Sequence, residues 1–338
     1  MTNTHILVTG GAGYIGQAVV EKLIEREFTV TVVDRKSSPY IEKLAEQHSI
    51  NFMQMDYAEI ATSSKLASFL GDPALLDQVD YIIHLAASHQ VGESCTQASA
   101  YYDNNIIKFK ALLDAAVDYD IDGVIFSGSS SVYGDNSKMN TDESTLFDPT
   151  SPYASTKAIG EYMLRDYHMA HQLPYISLRY FNAAGADPEL KYGYSQETPT
   201  HLVPCLVGSI VEQREFYVNG TDYPTPDGTV IRSYTHVKDI AEAHVLAIDY
   251  MTKNKGTAES FNIGHSEAHS VRQVTDAAKE LFPDFEVVDR ERRPGDSIMQ
   301  SADNSKSQST LGWKTVYTIK DMLTHEYEYQ LKQRKQNG

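Results

Sequence analysis

The stretch His5-Ile6-Leu7-Val8-Thr9-Gly10-Gly11-Ala12-Gly13-Tyr14-Ile15-Gly16 decides the fold of this chain. Its apolar start predicts a short, buried strand, and an amphipathic helix is predicted from Gln17 to Arg26. The glycines between them allow a tight turn that brings the backbone close to a pyrophosphate, facing the unpaired N–H groups of the helix N-terminus. A strand, a glycine turn and a helix are the context that a dinucleotide-binding fingerprint needs, although a plain strand-to-helix turn has the same outline.

A second predicted strand, from Phe28 to Val33, ends in the carboxylate of Asp34. An acidic side chain about twenty residues after the glycines can accept hydrogen bonds from an adenosine ribose. The same carboxylate would repel a 2′-phosphate, so the pattern favours NAD over NADP as the cofactor. Arg35, directly beside it, weakens that preference.

Strands and helices continue to alternate along the first half of the chain. Further strands are predicted at Ile50–Met55, Asp80–Leu85, Val124–Ser127 and Tyr175–Leu178, with helices at Ser63–Leu76 and Gln97–Tyr119. The alternation predicts an α/β fold, a doubly wound parallel sheet of the Rossmann type. Ligands of such sheets bind at the carboxyl ends of the strands. Five features fall at those ends: Gly10, Asp34, Asp56, Ala86 and the run Ser129-Ser130-Ser131.

Tyr153 and Lys157 are four residues apart, so they lie on one face of a predicted helix. A nearby ammonium lowers the pKa of a phenol, which lets the tyrosine accept a proton from a hydroxyl group. The serine run and this helix both begin where a nicotinamide would lie, and Ser129 can hydrogen-bond the reacting hydroxyl. Taken alone, the pair recurs by chance, the serines suit a polar turn, and a lysine most often lies on a solvated helix face.

The pattern changes after Ala183, where glycine, proline and tyrosine become dense. A smaller, mixed α/β substrate-binding region is predicted there. The expected division assigns 1–182 to a Rossmann domain, with 233–265 returning to it. The substrate region then comprises 183–232 and 266–331, and 332–338 form a polar tail that is expected to fray.

Two arginines in the second half stand out as candidate phosphate ligands. The planar fork of Arg232 or Arg293 suits phosphate oxygens, and Arg293-Pro294-Gly295-Asp296 combines a guanidinium, a rigid turn and a carboxylate. That combination can clamp a nucleotide diphosphate and its ribose. A surface salt bridge in a loop is the plainer interpretation of the same residues.

Composition restricts the class of protein. Lys and Arg number 29 against 46 Asp and Glu, a formal charge of −17, which argues against binding to nucleic acid or anionic membranes. The two cysteines, Cys95 and Cys205, have no metal-type spacing and suit a reducing cytoplasm. We expect no leader, no membrane span and no metal site, and a Gly-x-Ser-x-Gly nucleophile elbow is absent from the sequence.

Across nearly its whole length the sequence resembles the extended short-chain dehydrogenase/reductases, and within them the UDP-glucose 4-epimerases. The matching stretches are Gly10–Gly16, His84-Leu85-Ala86-Ala87, Val91-Gly92-Glu93-Ser94, Tyr101-Tyr102-Asp103-Asn104-Asn105, Ser131-Val132-Tyr133-Gly134, Tyr153 with Lys157, Arg179-Tyr180-Phe181-Asn182, Asp222-Tyr223-Pro224-Thr225 with Asp227-Gly228, and Arg293-Pro294-Gly295-Asp296. The glycine motif and the Tyr/Lys pair mark only the superfamily. The Arg-Tyr-Phe-Asn and Asp-Tyr-Pro-Thr motifs are far more specific for the epimerases.

The resemblance implies a chemistry in which NAD is regenerated in every cycle. Tyr153, aided by Ser129 and Lys157, would take the proton of the sugar 4-hydroxyl, and the 4-keto sugar would turn over while the UDP stays anchored. The implied cofactor contacts are Gly10, Gly13, Tyr14, Ile15, Gly16, Asp34, Asp56, Ala86, Asn105, Lys157 and Tyr180. The implied substrate contacts are Ser129, Tyr153, Asn182, His201, Leu202, Tyr217, Arg232, Arg293, Asp296 and Gln300. The resemblance also implies a homodimer in which the Gln97–Tyr119 helix and the Tyr153 helix form the interface.

Three positions separate the alternatives. Related nucleotide-sugar dehydratases and decarboxylases carry an acid where this chain has Ser131, so elimination or decarboxylation is disfavoured. His89 replaces the lysine usual in the epimerases, which bears on cofactor affinity. Gln300 occupies the position whose bulk decides whether N-acetylated sugars fit, so a UDP-N-acetylhexosamine, UDP-pentose or UDP-uronate stays open as substrate. A non-catalytic NAD-binding regulator and an oxidoreductase that releases NADH are the alternatives from other classes.

Overall fold

The structure is a computed structural model that describes residues 4–48, 50–59, 79–135, 140–195, 199–293 and 297–337. The chain divides into two compact units. The first unit comprises Met1–Val132, Phe147–Arg179 and Ala241–Phe261. The second unit comprises Tyr133–Leu146, Tyr180–Ile240 and Asn262–Gly338.

The strands and helices alternate through the first half, as the sequence predicts. The strands are β1 His5–Thr9, β2 Thr29–Asp34, β3 Asn51–Gln54, β4 Tyr81–His84, β5 Gly123–Ser129, β6 Tyr175–Tyr180, β7 Asn182–Ala184, β8 Phe216–Asn219, β9 Ile231–His236, β10 Ala258–Ile263, β11 Ala268–Ser270, β12 Val287–Arg290 and β13 Met299–Gln300. The helices are α1 Tyr14–Glu25, α2 Pro39–His48, α3 Val91–Thr96, α4 Ala98–Tyr102, α5 Lys108–Asp118, α6 Pro152–His171, α7 Leu202–Val211, α8 Val237–Lys253, α9 Val271–Leu281 and α10 Ile319–Asn337.

The central sheet has seven strands in the order β10-β6-β5-β4-β1-β2-β3. Strand β1 pairs in parallel with β2 on one side and β4 on the other, so the strand order reverses between β1 and β4. Such a reversal leaves a crevice at the carboxyl ends of the two strands, where doubly wound sheets bind their ligands. The predicted Rossmann-type sheet is therefore confirmed.

Apolar side chains explain why these segments form the sheet. All five residues of β1 are buried, and the four central residues of β2 are buried as well. Strands that are covered by helices on both faces need such continuous apolar runs. One face of the sheet packs on α5 through Phe109, Leu112 and Leu113, each 1% exposed or less.

The second unit contains two small sheets and its own core. Strand β9 pairs in parallel with β7 and β13 and antiparallel with β11, while β8 pairs in parallel with β12. Apolar residues of α7, α9 and α10 cover these strands. Trp313 is fully buried there, and its Nε1–H donates a hydrogen bond to the Asp239 carbonyl at 2.7 Å.

Local structure departs from the sequence predictions at three places. The single helix expected over Gln97–Tyr119 is interrupted by a π-helical turn at Asp103–Ile107, which buries Asn104 and Asn105. The expected frayed tail is instead the end of α10, where Lys332 Nζ donates to the Leu190 carbonyl at 2.8 Å. The helix predicted at Ser63–Leu76 lies outside the described residues.

Candidate active site

The glycine turn after β1 is held by close backbone contacts. Gly10 adopts a φ of +78°, and a Cβ there would lie 2.6 Å from the backbone nitrogen of Ala86, just past β4. A Cβ on Gly16 would lie 2.2 Å from the Gly10 carbonyl oxygen. Only glycine fits such approaches. The turn therefore brings the ends of β1 and β4 together with the start of α1.

The N-terminus of α1 is suited to an anion. Helix α1 starts at Tyr14 and Ile15, and its N-cap residue, Gly13, provides no side-chain hydrogen bond. The first N–H groups of a helix attract negative charge, and a glycine cap leaves room for a phosphate to reach them. These residues fit the pyrophosphate of a dinucleotide.

Asp34 ends β2 beside this turn. Its carboxylate accepts hydrogen bonds from the backbone N–H groups of Ala12 at 3.1 Å and Lys36 at 3.0 Å. Burial raises the pKa of this carboxyl, and the two hydrogen bonds oppose the rise. The side chain thus connects the strand end to the turn, and each oxygen keeps a further lone pair for a ribose hydroxyl.

Asp56 follows β3 and is tied to α5. Its Oδ2 lies 2.5 Å from Lys108 Nζ, and its Oδ1 accepts a hydrogen bond from the Ala58 N–H at 3.0 Å. Burial raises the pKa of this carboxyl, but the hydrogen bonds and the charge of Lys108 outweigh it, so the pKa is lowered. Asp56 is an ionised acceptor, and it follows a strand, as the sequence predicts.

Asn105 joins the loop after β4 to the helix that carries Tyr153. Its side-chain amide donates to the Ser88 carbonyl and accepts from the Ser88 N–H, both at 2.9 Å. It also donates to Thr156 Oγ1 at 3.1 Å, and Thr156 donates to the Tyr153 carbonyl at 2.7 Å. The π-helical turn brings Asn105 to this position, so its amide ties the loop after β4 to α6.

Ser129 and Tyr153 meet at the end of β5. Ser151 caps α6 by accepting a hydrogen bond from the Ala154 N–H at 3.2 Å, which places Tyr153 in the first turn. Burial raises the pKa of the Tyr153 phenol, and the neighbouring Ser129 hydroxyl, as a hydrogen-bond partner, partly opposes that rise. Ser129 Oγ accepts hydrogen bonds from the hydroxyl and the N–H of Ser131, at 2.9 and 3.2 Å. Because two donors occupy its oxygen, Ser129 keeps its own proton for Tyr153 or a substrate oxygen.

Lys157 is buried one turn further along α6. It is 3% exposed, and its Nζ donates to the Ser127 carbonyl at 2.6 Å. The same nitrogen lies 6.0 Å from the centre of the Tyr153 ring. Burial lowers the pKa of this ammonium to about 7. The lysine is therefore not on a solvated helix face, and its charge depends on its surroundings at neutral pH.

Several predicted substrate residues share one sheet of the second unit. Arg232 on β9 and Gln300 on β13 are direct register partners. Arg232 donates to the carbonyls of Ile231 at 2.8 Å and Ser297 at 2.6 Å. Asn182 on β7 donates to the Ser233 carbonyl at 3.0 Å. The three side chains thus belong to neighbouring strands.

A second group forms around the β8–β12 pair. Arg290 stacks on Tyr217, with its guanidinium carbon 3.2 Å from the ring centre. The side-chain amide of Asn219 faces the guanidinium of Arg293, with contacts of 2.9 and 3.1 Å. Neither Asn219 nor Arg290 was predicted from the sequence, because their relevance comes only from the pairing of β8 with β12.

The remaining predicted residues are placed as follows. His201 is the N-cap residue of α7, and Leu202 is its first residue. The His201 ring makes an edge contact with Tyr194, 5.8 Å between centres. Tyr180 ends β6 and is 7% exposed. Asp296 lies outside the described residues.

Comparison with known proteins identifies the family. Residues 6–264 match the model of the NAD-dependent epimerase/dehydratase family. The chain belongs to this family. A curated relative, UDP-glucose 4-epimerase from Rhizobium meliloti (strain 1021), is 37% identical over 321 residues, which cover 94% of each chain.

Solved structures of this epimerase/dehydratase family are similar over almost the whole chain. UDP-glucose 4-epimerase from Stenotrophomonas maltophila, solved with NAD and formylated UDP-arabinopyranose, has a TM-score of 0.90 at 31% identity, covering 98% of this chain and 99% of that one. The enzyme from Bifidobacterium longum, solved with NAD+ and UDP, has a TM-score of 0.88 at 33% identity, with the same coverage. The predicted fold, family and cofactor are thereby confirmed.

His89 lies in the loop that follows β4. Desolvation and the nearby charge of Lys157 lower its pKa, so the imidazole is neutral at pH 7. In the described part of the chain, no three His, Cys, Asp or Glu side chains are arranged to hold a metal ion. The helices described are also too short or too polar to cross a membrane.

Proposed function

We propose that this protein is an NAD-dependent 4-epimerase of UDP-hexoses that interconverts UDP-glucose and UDP-galactose through a transient 4-keto sugar. The observation that carries the proposal is the group of Ser129, Tyr153 and buried Lys157 at the carboxyl end of β5. The named UDP-glucose 4-epimerases that align with almost the full chain support the same reaction.

The first unit holds the cofactor in this proposal. Its proposed contacts are Gly10, Gly13, Tyr14, Ile15 and Gly16 for the pyrophosphate, Asp34, Asp56, Ala86 and Asn105 around the adenosine and the strand ends, and Lys157 for the nicotinamide side. Tyr180, which belongs to the second unit, is a further proposed cofactor contact. When bound by these residues, NAD would supply the hydride acceptor and donor for the sugar carbon. Asp34 favours the unphosphorylated ribose.

Tyr153 is the proposed base. Its phenolate oxygen takes the proton of the sugar 4-hydroxyl and returns it after the keto sugar has turned over. Ser129 donates a hydrogen bond to the oxygen of the sugar 4-hydroxyl, because the Ser131 hydroxyl already donates to the Ser129 oxygen. Lys157, as an ammonium, stabilises the phenolate. The site has no carboxylic acid at position 131, which an elimination would require.

The second unit binds the UDP group in this proposal. Asn182, Arg232 and Arg293 are the proposed diphosphate contacts, and Asp296 is the proposed ribose contact. His201, Leu202 and Tyr217 complete the proposed substrate contacts. The enzyme must bind UDP firmly and the sugar loosely, so that the keto sugar can turn over and receive the hydride on its other face. We further propose a cytoplasmic homodimer paired through α4–α5 and α6, where Tyr102, Ile107 and Tyr162 are exposed apolar side chains.

A second candidate substrate class follows from Gln300. Its amide lies 3.5 Å from the Gly134 carbonyl, a long contact that holds it weakly. A polar, weakly held side chain at this position accommodates other sugars, such as UDP-N-acetylhexosamines, UDP-pentoses or UDP-uronates. One related enzyme was solved with a formylated UDP-arabinopyranose.

The deciding experiment is a product assay. Purified protein is incubated with UDP-glucose, UDP-galactose and their N-acetylated forms, and the products are separated. We expect conversion of the plain hexoses in both directions without net release of NADH. An NAD-loaded protein that converts none of these sugars would overturn the proposal. Steady NADH release would instead indicate an oxidoreductase.

A further inference from the structure

Glu161 continues the series begun by Tyr153 and Lys157. The three residues lie on α6 at intervals of four, so they occupy one face of the helix, one turn apart. Lys157 is 3% exposed and Glu161 is 6% exposed. A phenol, an ammonium and a carboxylate therefore follow one another along a buried helix face.

The Glu161 carboxylate accepts hydrogen bonds from the side chains of Arg179, Ser177 and Ser260, all in the first unit. Arg179 donates from Nε to Oε1 at 2.9 Å and from Nη2 to Oε2 at 2.6 Å. Ser177 donates to Oε1 at 2.9 Å, and Ser260 donates to Oε2 at 3.2 Å. Such a donor set suits a fully charged carboxylate in a defined orientation. It also explains the arginine of the Arg179-Tyr180-Phe181-Asn182 motif, which binds this carboxylate.

Two glycines allow the helix and strands to come close enough for this pair. A Cβ on Gly160 would lie 2.7 Å from the Phe126 ring, so α6 approaches β5 through a position without a side chain. A Cβ on Gly128 would lie 2.6 Å from Ser177 Oγ. The ion pair is therefore built into the contact between α6, β5 and β6.

Lys157 has a backbone carbonyl and an aromatic ring beside its Nζ, and the Glu161 carboxylate one helical turn away. Its Nζ contacts the Ser127 carbonyl and lies 4.9 Å from the centre of the Phe126 ring. Two histidines lie near Lys157, His84 on β4 and His89 in the following loop. Burial lowers the pKa of both, and the charge of Lys157 lowers it further. Burial lowers the pKa of Lys157 to about 7, and Glu161 raises it. Glu161 thus opposes loss of the lysine proton.

We propose that Glu161 is a positioning residue that keeps Lys157 protonated while Tyr153 carries its negative charge. Arg179 fixes the carboxylate in place, and the carboxylate favours the ammonium. The ammonium then favours the phenolate. The catalytic consequence rests on the proposed function, but the effect on the lysine charge does not.

The direct test measures the charge of Lys157 without substrate. NAD-loaded protein with 13C-labelled lysine Cε carbons is titrated by NMR, and the Lys157 signal is assigned by its loss in Lys157→Arg. In Glu161→Gln the midpoint is expected to fall by on the order of one pH unit, the effect of an opposite charge one helical turn away. Ser260→Ala, which removes one hydrogen bond but no charge, is the matched control and keeps the wild-type midpoint. An unchanged midpoint in folded Glu161→Gln would overturn the proposal.

A second variant covers the case in which Glu161→Gln leaves Arg179 unpaired and does not fold. Glu161→Gln combined with Arg179→Met replaces the buried ion pair by neutral groups of similar volume, which proteins often tolerate. The lower midpoint is expected here too, and a wild-type midpoint would contradict the proposal. In the product assay, the alkaline limb of the kcat profile moves to lower pH by the same amount. A wild-type protein without activity would refute the epimerase function alone, because the NMR titration needs no turnover.

Discussion

Glu326 is a carboxylic acid buried in the second unit. Its replacement by glutamine measures how much its burial lowers the free energy of unfolding at neutral and alkaline pH. The side chain lies on α10 and is 0% exposed. Oε1 accepts a hydrogen bond from Gln330 Nε2 at 2.7 Å, while Oε2 has no partner in the described part of the chain. Tyr194 and Tyr329 lie close to it; burial raises the pKa of both phenols, and the charge of Glu326 adds to the rise. Burial raises the pKa of Glu326 itself from 4.5 to about 7.

The sign follows from comparing folded and unfolded chains. Below a pH of 4.5 the carboxyl is protonated in both states, so its contribution to stability is fully present. As the pH rises towards 7, the unfolded chain loses the proton while the folded chain retains it, and this contribution is lost. The difference between the pKa in the folded chain, about 7, and that in the unfolded chain, 4.5, corresponds to about 3 kcal/mol. Glu326→Gln has the same shape and no charge, so it avoids that loss.

Tryptophan fluorescence provides the assay, because the single tryptophan, Trp313, is buried in the same unit. Urea unfolding is followed at about pH 5 and about pH 8.5, and the free energy of unfolding of Glu326→Gln should gain about 2–3 kcal/mol on wild type across that interval. Glu328→Gln, on the exposed side of the same helix, is the matched control and should follow wild type. Parallel pH dependence of Glu326→Gln and wild type would refute the reasoning.

Three further predictions concern the candidate site. Tyr153→Phe removes only the hydroxyl, so turnover in the product assay should fall by about 10²–10⁴-fold with an unchanged melting temperature; retained turnover would exclude Tyr153 as the base. Gly16→Ala places a Cβ 2.2 Å from the Gly10 carbonyl oxygen, so the purified variant should retain less NAD than wild type. Gly92→Ala, where a Cβ meets nothing within 4 Å, should retain the wild-type amount, and equal NAD contents in both variants would contradict the role of the turn. Arg293→Met should raise the Kd for UDP, measured by calorimetry, by about tenfold or more, because a charge-assisted hydrogen bond is lost. An unchanged Kd would place the diphosphate elsewhere.

Much of the fold was predictable because its signals are local. The apolar runs of β1 and β2, the glycines between β1 and α1 and the terminal Asp34 each act within a few residues. The π-helical turn at Asp103–Ile107 was not predictable, since the periodicity of the flanking helical segments continues through it. Its effect, the burial of Asn105 against Ser88 and Thr156, depends on side chains distant in sequence.

The site shows the same division. The spacing of Tyr153 and Lys157 on one helix face follows from the sequence, as does the position of Ser129 at the end of a strand. The spacing continues to Glu161, a signal that was present but has meaning only once Arg179 is seen opposite it. Similarly, Asn219 and Arg290 join the predicted substrate residues only through the pairing of β8 with β12.

The sequence by itself determined the doubly wound sheet, the family resemblance and the chemical types at the strand ends, because periodicity, glycine turns and motif spacing act over short distances. Only the tertiary structure decided the charge environment of those groups. Burial brings the pKa of Lys157 to about 7, and Ser131 directs the hydroxyl of Ser129. Desolvation and long-range hydrogen bonds set these properties, and neither can be obtained from the order of residues along the chain.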